Sequence, residues 1–225
     1  MAIGFIIGLI IVVAWFVAKK RDSSTGQERT ADNFRPSNKI KGSIGRFGLE
    51  TWWTTTFTED ERAHIVETFS EDLIKGNPSD DETAIKLFGN LSIWFKKEDD
   101  RTIAYRILKK AEELIKPASE ILDVHFLYNS EIEIYYKYRH KDAFALQATI
   151  DACKKQIAIS PQAKLAFKKE YKGEPLPTHV GFETLIKIEE DNAIVIELAT
   201  RASKEGWFGN WKKIIKESKQ LINKE

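Results

Sequence analysis

The side chains best suited by type to bind a metal or move a proton near neutral pH are His64, His125, His140 and His179. None has a second ligand at metal-binding spacing, and no H-E-x-x-H is present. The carboxylate clusters Asp80-Asp81-Glu82 and Glu98-Asp99-Asp100 have the oxygen ligands that a divalent cation needs. Both clusters stand at expected helix starts, where carboxylates favour the macrodipole, and that role accounts for them. Cys153 is the sole cysteine, so no disulfide within the chain and no cysteine-based metal site is possible, which fits a reducing compartment. It shares helical spacing with Ile150 and Ile157, as a buried structural thiol does. No phosphate-binding glycine loop and no G-x-S-x-G elbow occurs. The residues therefore point away from an enzyme, and no cofactor is expected.

Two aromatic groups suggest binding instead. Tyr135, Tyr136 and Tyr138 are of the type that stacks on bases. Net charge is only +1, and the part after Thr58 carries an acidic excess, so the basic stripe that nucleic acid requires is missing. A buried helix face accounts for the tyrosines better. The second group is EGWFGNW, Glu205 to Trp211. Gly206 falls where a helix needs a left-handed terminator, with Trp207 as the apolar residue that seals such a cap. These aromatics are expected to form a joint.

The elements that would position these residues are helices. Hydrophobic residues make up 42% of the 225 and charged residues 31%, while 12 glycines and 6 prolines are too few for a turn-rich β architecture. Thr58 to Glu61 and Ser79 to Glu82 both read as capping boxes. Helices are expected from Thr58 to Gly76, Asp81 to Lys97, Asp99 to Ile115, Ser119 to Arg139 and Asp142 to Ile159. Ser160-Pro161 opens another that closes at Gly173; two more fill Thr178 to Glu205, and the last begins near Asn210. No segment shows a strand alternation. The last helix presents Trp211, Ile214, Ile215 and Leu221-Ile222 on one side and its lysines on the other, as a terminal cover would.

Residues 1–18 contain no charged side chain and are followed by Lys19-Lys20-Arg21. About 17 apolar residues are enough to span a bilayer, so this segment reads as a transmembrane anchor. No cation precedes it and Phe16 sits where cleavage would need a small residue, which argues against a signal peptide. The basic cluster places the following chain in the cytoplasm. Gly4 and Gly8 have the G-x-x-x-G spacing that lets such helices form a weak homodimer. Residues 19–57 are polar, and basic in part, and read as a flexible linker. Within it, Lys39, Lys41 and Arg46 interleave with Ile40, Ile44 and Phe47, a mix suited to anionic lipid or to contact with the domain. Trp52, Trp53 and Phe57 are expected to cover the open end of the core.

Within the helical domain, 58–225, the residues Phe88, Leu91, Ser92 and Phe95 share one stripe, and Ala104, Leu108 and Ala111 share another; Pro117 ends the unit. This pattern over Ala84 to Ala118 resembles a tetratricopeptide repeat, with the closing proline one residue late. Ile132, Tyr136, Ala145 and Ala152 form a weaker second match, and Gly181, Phe182, Val195, Ala199 and Ala202 a third. The C-terminal LPTHVGFETL and SKEGWFGNWKKI are similar to a recurrent ending of uncharacterised bacterial repeat proteins, with which no activity is associated.

The resemblance implies an all-α fold of antiparallel helix pairs stacked as a solenoid. It also implies a groove, lined by the first helix of each pair, that takes a protein or peptide partner. On the best repeat the groove-facing candidates are Lys86, Gly89, Asn90, Ile93 and Lys97, suited to an acidic or C-terminal segment. The expected function is a membrane-anchored adaptor. The alternatives are a periplasmic assembly or secretion factor, if the topology is inverted, and an enzyme with an unrecognised site.

Overall fold

Thr58 accepts the Glu61 N–H on its side chain at 3.2 Å, and the Glu61 carboxylate accepts the Thr58 N–H at 2.9 Å. This reciprocal cap starts one of eleven α-helices among the described residues, 40–224 of a computed structural model. The expected anchor at 1–18, the Gly4–Gly8 spacing and the linker up to residue 39 lie outside them. Among the described residues no helix is long and apolar enough to cross a membrane.

In chain order the helices are α1 (Gly42–Arg46), α2 (Glu50–Thr56), α3 (Glu59–Thr68), α4 (Ala84–Trp94), α5 (Arg101–Glu113) and α6 (Ile121–Tyr138). They continue as α7 (Ala145–Ala158), α8 (Ser160–Glu170), α9 (Val180–Ile188), α10 (Asn192–Glu205) and α11 (Trp211–Ile222). The described chain is all-α, and an isolated bridge between Thr178 and Phe208 is its one β-type pairing. Most boundaries fall close to the stop and start signals. Pro161 occupies the first turn of α8. Gly206, at φ 88°, ends α10; its N–H bonds to the Ser203 carbonyl at 3.1 Å and that of Trp207 to the Ala202 carbonyl at 3.2 Å. This closes a Schellman turn with Trp207 buried beneath it, the joint expected for EGWFGNW.

The region before Thr58 differs from the expectation. From Ile40 onward the chain is folded, and α1 and α2 bury Ile44, Leu49, Trp53 and Phe57. These residues recur at helical intervals, and their apolar surface outweighs the Ser, Thr and Gly content that suggests a linker. Trp52 meets Phe88 of α4 with ring centroids 5.0 Å apart, so the expected cover over the core is present. The second capping box does not form. Glu82 accepts from Ser43 Oγ at 2.7 Å and Ser79 turns to Asp81, so Thr83 caps α4 instead, accepting the Lys86 N–H at 3.1 Å. α3 likewise stops at Thr68, and a 3₁₀ turn, Glu71–Leu73, fills the stretch expected to be helical.

The helices pack in a simple order. α4 lies against α5 and α6, α6 against α7, α7 against α9, and α10 against α9 and α11. Phe88, Leu91, Ser92 and Phe95 are fully buried where α4 meets α5, as are Ala104, Leu108 and Ala111. One core cluster gathers residues from Ile44 to Ile134, the other from Ile132 to Trp211. α6 belongs to both, which explains why only its Phe126, Glu133 and Lys137 are exposed. α8, the helix between the second and third pairs, packs on α6 and α7.

Candidate functional site

Lys86, Asn90 and Ile93 fall on one stripe of α4, at intervals of four and three residues. The Lys86 ammonium lies 4.0 Å from the Asp81 carboxylate, Asn90 is exposed and Ile93 is half-buried against the first core. Lys97 does not join them. α4 stops at Trp94, so Lys97 sits in the following turn, off the helical register. Gly89 faces the core rather than a groove: a β-carbon there would stand 3.6 Å from Leu127 Cα, where α4 crosses α6. Lys96 pairs with Glu133 of α6 at 2.7 Å, and Phe167 of α8 packs on Phe126 at 5.8 Å between ring centroids. α8 thus covers part of α6 beside Phe126.

An open apolar groove lies elsewhere, between the second helices α7 and α10, with the end of α9 as its floor. It holds about 750 Å³. Ile150 and Ile157 form one wall, Ile194 and Leu198 the other, and Leu185 and Ile188 the floor. Ile194 is 41% exposed, unusual for an isoleucine on a well-packed helix. The two walls come together where Arg201 Nη2 donates to the Ile157 carbonyl at 2.8 Å. Arg201 is also held by Glu205 at 2.9 Å. At the other end, the turn from α9 to α10 places Glu189 and Glu190 on the groove margin, and Lys154 stands along the α7 wall.

Beneath the groove is a buried polar seam. Gln156 donates to the His125 carbonyl at 3.0 Å and to Asn129 Oδ1, while its Oε1 accepts the Gly181 N–H at 2.7 Å. One amide therefore ties α6, α7 and α9 together. His179 caps α9, its Nδ1 accepting the Phe182 N–H at 3.3 Å. That bond requires an unprotonated Nδ1 and puts the ring proton on Nε2, which has no partner among the described residues. His125 stacks on Trp207 at 5.9 Å between ring centroids. Burial holds the His125 imidazole at about 4 and, with His125 nearby, the His179 imidazole at about 3. Both are neutral near pH 7, enclosed by aromatic rings and out of reach of a substrate. Burial likewise pushes the Cys153 thiol up to about 12, as befits the expected structural cysteine.

Other polar contacts lie nearer the surface. His64 Nε2 lies 2.9 Å from Asp100 Oδ1, and its Nδ1 lies 3.4 Å from Thr68 Oγ1. The order is that of a proton relay, and the groups are open to water, the His64 side chain being 44% and that of Asp100 21% exposed. Asp142 takes Arg101 Nε at 2.9 Å and the Tyr105 hydroxyl at 2.7 Å, fixing the turn before α7 to α5. Arg101 and Tyr105 together hold its carboxyl below the usual range. Tyr105 in turn stacks on Tyr135 at 5.2 Å, so that tyrosine serves the packing, as expected. Among the described residues no three His, Cys, Asp or Glu side chains come together to hold a metal ion.

The chain matches no family model, curated protein or solved structure. The functional reading therefore rests on the groove and the seam that supports it. Sequence reading missed the groove, although Ile150 and Ile157 on one helix and Ile194 and Leu198 on the other were visible as apolar repeats.

Proposed function

We propose that the protein is a membrane-anchored helical adaptor that holds a segment of a partner protein in the groove between α7 and α10. The observation that carries this reading is that groove: apolar side chains left open to water, with charged groups at its margin. A buried seam of hydrogen bonds through Gln156 lies behind it. The pairing of α4 with α5, α6 with α7 and α9 with α10 is the one that a tetratricopeptide-like arrangement calls for, and it supports the reading. The uncharged segment 1–18 followed by Lys19-Lys20-Arg21 supports attachment to a membrane with the domain on the cytoplasmic side.

A photo-cross-linking amino acid placed at Ile194 tests the proposal in cells. A discrete adduct is expected from Ile194 and none from Gln220 on α11. Asn90 on α4 tests the first-helix face in the same experiment. Adducts from Asn90 but not Ile194 would move the partner to Lys86, Asn90 and Ile93. Adducts from neither would leave the adaptor reading without support.

A further inference from the structure

The margin of the groove is electrically uneven, and this restricts its occupant. Glu189 and Glu190 stand at the open end, in the turn between α9 and α10. Glu189 Oε1 already accepts the N–H groups of Glu190 and Asp191, both at 3.1 Å, and so is fixed in place. The Glu190 carboxylate is exposed. The closed end carries Arg201, whose charge is met by Glu205, while the exposed Lys154 stands on the α7 wall. Between them the lining is aliphatic. The wall from Gln147 to Ala158 is about 17 Å long at 1.5 Å per residue, the length of about three helical turns.

We infer that this groove takes a short amphipathic helix with a lysine or arginine at one end, seated so that the cation meets Glu189 and Glu190. The inference rests on the adaptor reading and names the chemistry of the partner. The helix lays an apolar stripe of i, i+3, i+4 and i+7 residues against Ile150, Leu185, Ile194 and Leu198. A carboxylate about two turns from its basic end meets Lys154, since Lys154 lies seven residues, about 10 Å, along the wall from Gln147. An anionic or acid-ended segment is repelled at the open end. This is the reverse of the acidic segment expected from Lys86 and Lys97 on the first helices.

The probe is a synthetic amphipathic peptide of about three turns, fluorescently labelled, with leucines at helical spacing and two terminal lysines. Its counterpart carries glutamates in place of those lysines. Anisotropy is read with the full chain in phosphatidylcholine nanodiscs, against empty discs. The lysine-ended peptide should bind at least about tenfold more tightly than the glutamate-ended one. Glu189→Lys with Glu190→Lys should reverse that order. Ile194→Asp, at a position exposed enough to leave folding intact, should abolish binding of both. Equal binding of the two peptides, or binding that survives Ile194→Asp, overturns the inference. An Ile194 cross-link in cells without any preference for the basic peptide leaves the adaptor reading standing and removes the basic helix. A cross-link whose mass is that of two copies of this chain puts a second copy in the groove and also overturns the inference. Preference for the basic peptide with no cellular cross-link keeps the inferred chemistry and removes the adaptor role.

Discussion

Gln156 Oε1 accepts the Gly181 N–H at 2.7 Å, and a β-carbon added to Gly181 would stand 2.7 Å from that same oxygen. The hydrogen bond that joins α7 to the first turn of α9 therefore requires the absence of a side chain there. The Cys153 carbonyl, 3.1 Å from the same point, belongs to the α7 backbone and has little room to retreat. Gly181→Ala gains up to about 1 kcal/mol of helix propensity. It should still lose about 1–3 kcal/mol net through overpacking and a weakened Gln156 bond. Urea unfolding of the variant checks this, and an unchanged or higher midpoint would contradict it.

That contact also marks the limit of what the residues reveal on their own. Signals that act within a few residues were legible: the Thr58–Glu61 box, Pro161 at the start of α8, and Gly206 with Trp207 at the end of α10. The box at Ser79 failed because Ser43, remote in sequence, takes Glu82. Gln156 lies on the same stripe as Ala152 and Cys153, so a polar residue at a core position was a visible clue. Its partners on α6 and α9 were not, because they depend on how three helices converge. The groove has the same character. Ile194 reads as an ordinary apolar position until the spacing between α7 and α10 leaves it uncovered.

The two buried histidines set an acid limit on stability. In the unfolded chain a histidine takes up its proton near pH 6.5. In the fold, His125 and His179 resist protonation down to about 4 and about 3. The unfolded state thus binds more protons throughout that window, so stability is full above pH 6.5 and falls as pH drops through it. His179→Asn keeps a cap for α9 but removes one titrating ring. The variant should be less stable than the parent at pH 7.5, through lost ring contacts, and the gap in Tm should narrow at pH 5. A gap that is constant with pH would show that His179 does not titrate on unfolding.

Glu131 works in the opposite sense. It is buried on α6, and its Oε1 has no partner among the described residues. Burial, with the Glu112 carboxylate nearby, raises its pKa well above the usual carboxylate range. Lys155 offsets this only weakly, being bonded to Glu112. The folded state holds this proton more tightly than the unfolded one, so its stabilising effect is complete below about pH 4.5 and is lost as pH rises. Glu131→Gln, neutral at every pH, should match the parent near pH 4 and be the more stable of the two at pH 7. A deficit at pH 7 would show that the carboxylate has a partner that the amide cannot satisfy.

The last prediction concerns where the folded domain begins. By composition the boundary falls at Thr58, but Ile44, Leu49, Trp53 and Phe57 are buried in the first core cluster. Full burial of such side chains contributes about 1.5–3 kcal/mol each. Together they rival the 5–15 kcal/mol that is typical for a whole domain. The loss would extend beyond apolar area. Arg106 donates to the Thr56 carbonyl at 2.8 Å and to the Glu61 carboxylate, and it lies 4.8 Å from the Phe57 ring centroid. A chain starting at Thr58 keeps the capping box and the Glu61 pair but exposes Phe88, against which Trp52 now packs. It should bind a hydrophobic dye, lose near-ultraviolet tryptophan dichroism and unfold without a sharp transition. A chain starting at Ile40 should unfold cooperatively in urea. If both unfold at the same midpoint with the same steepness, α1 and α2 are an appendage and the core is complete without them.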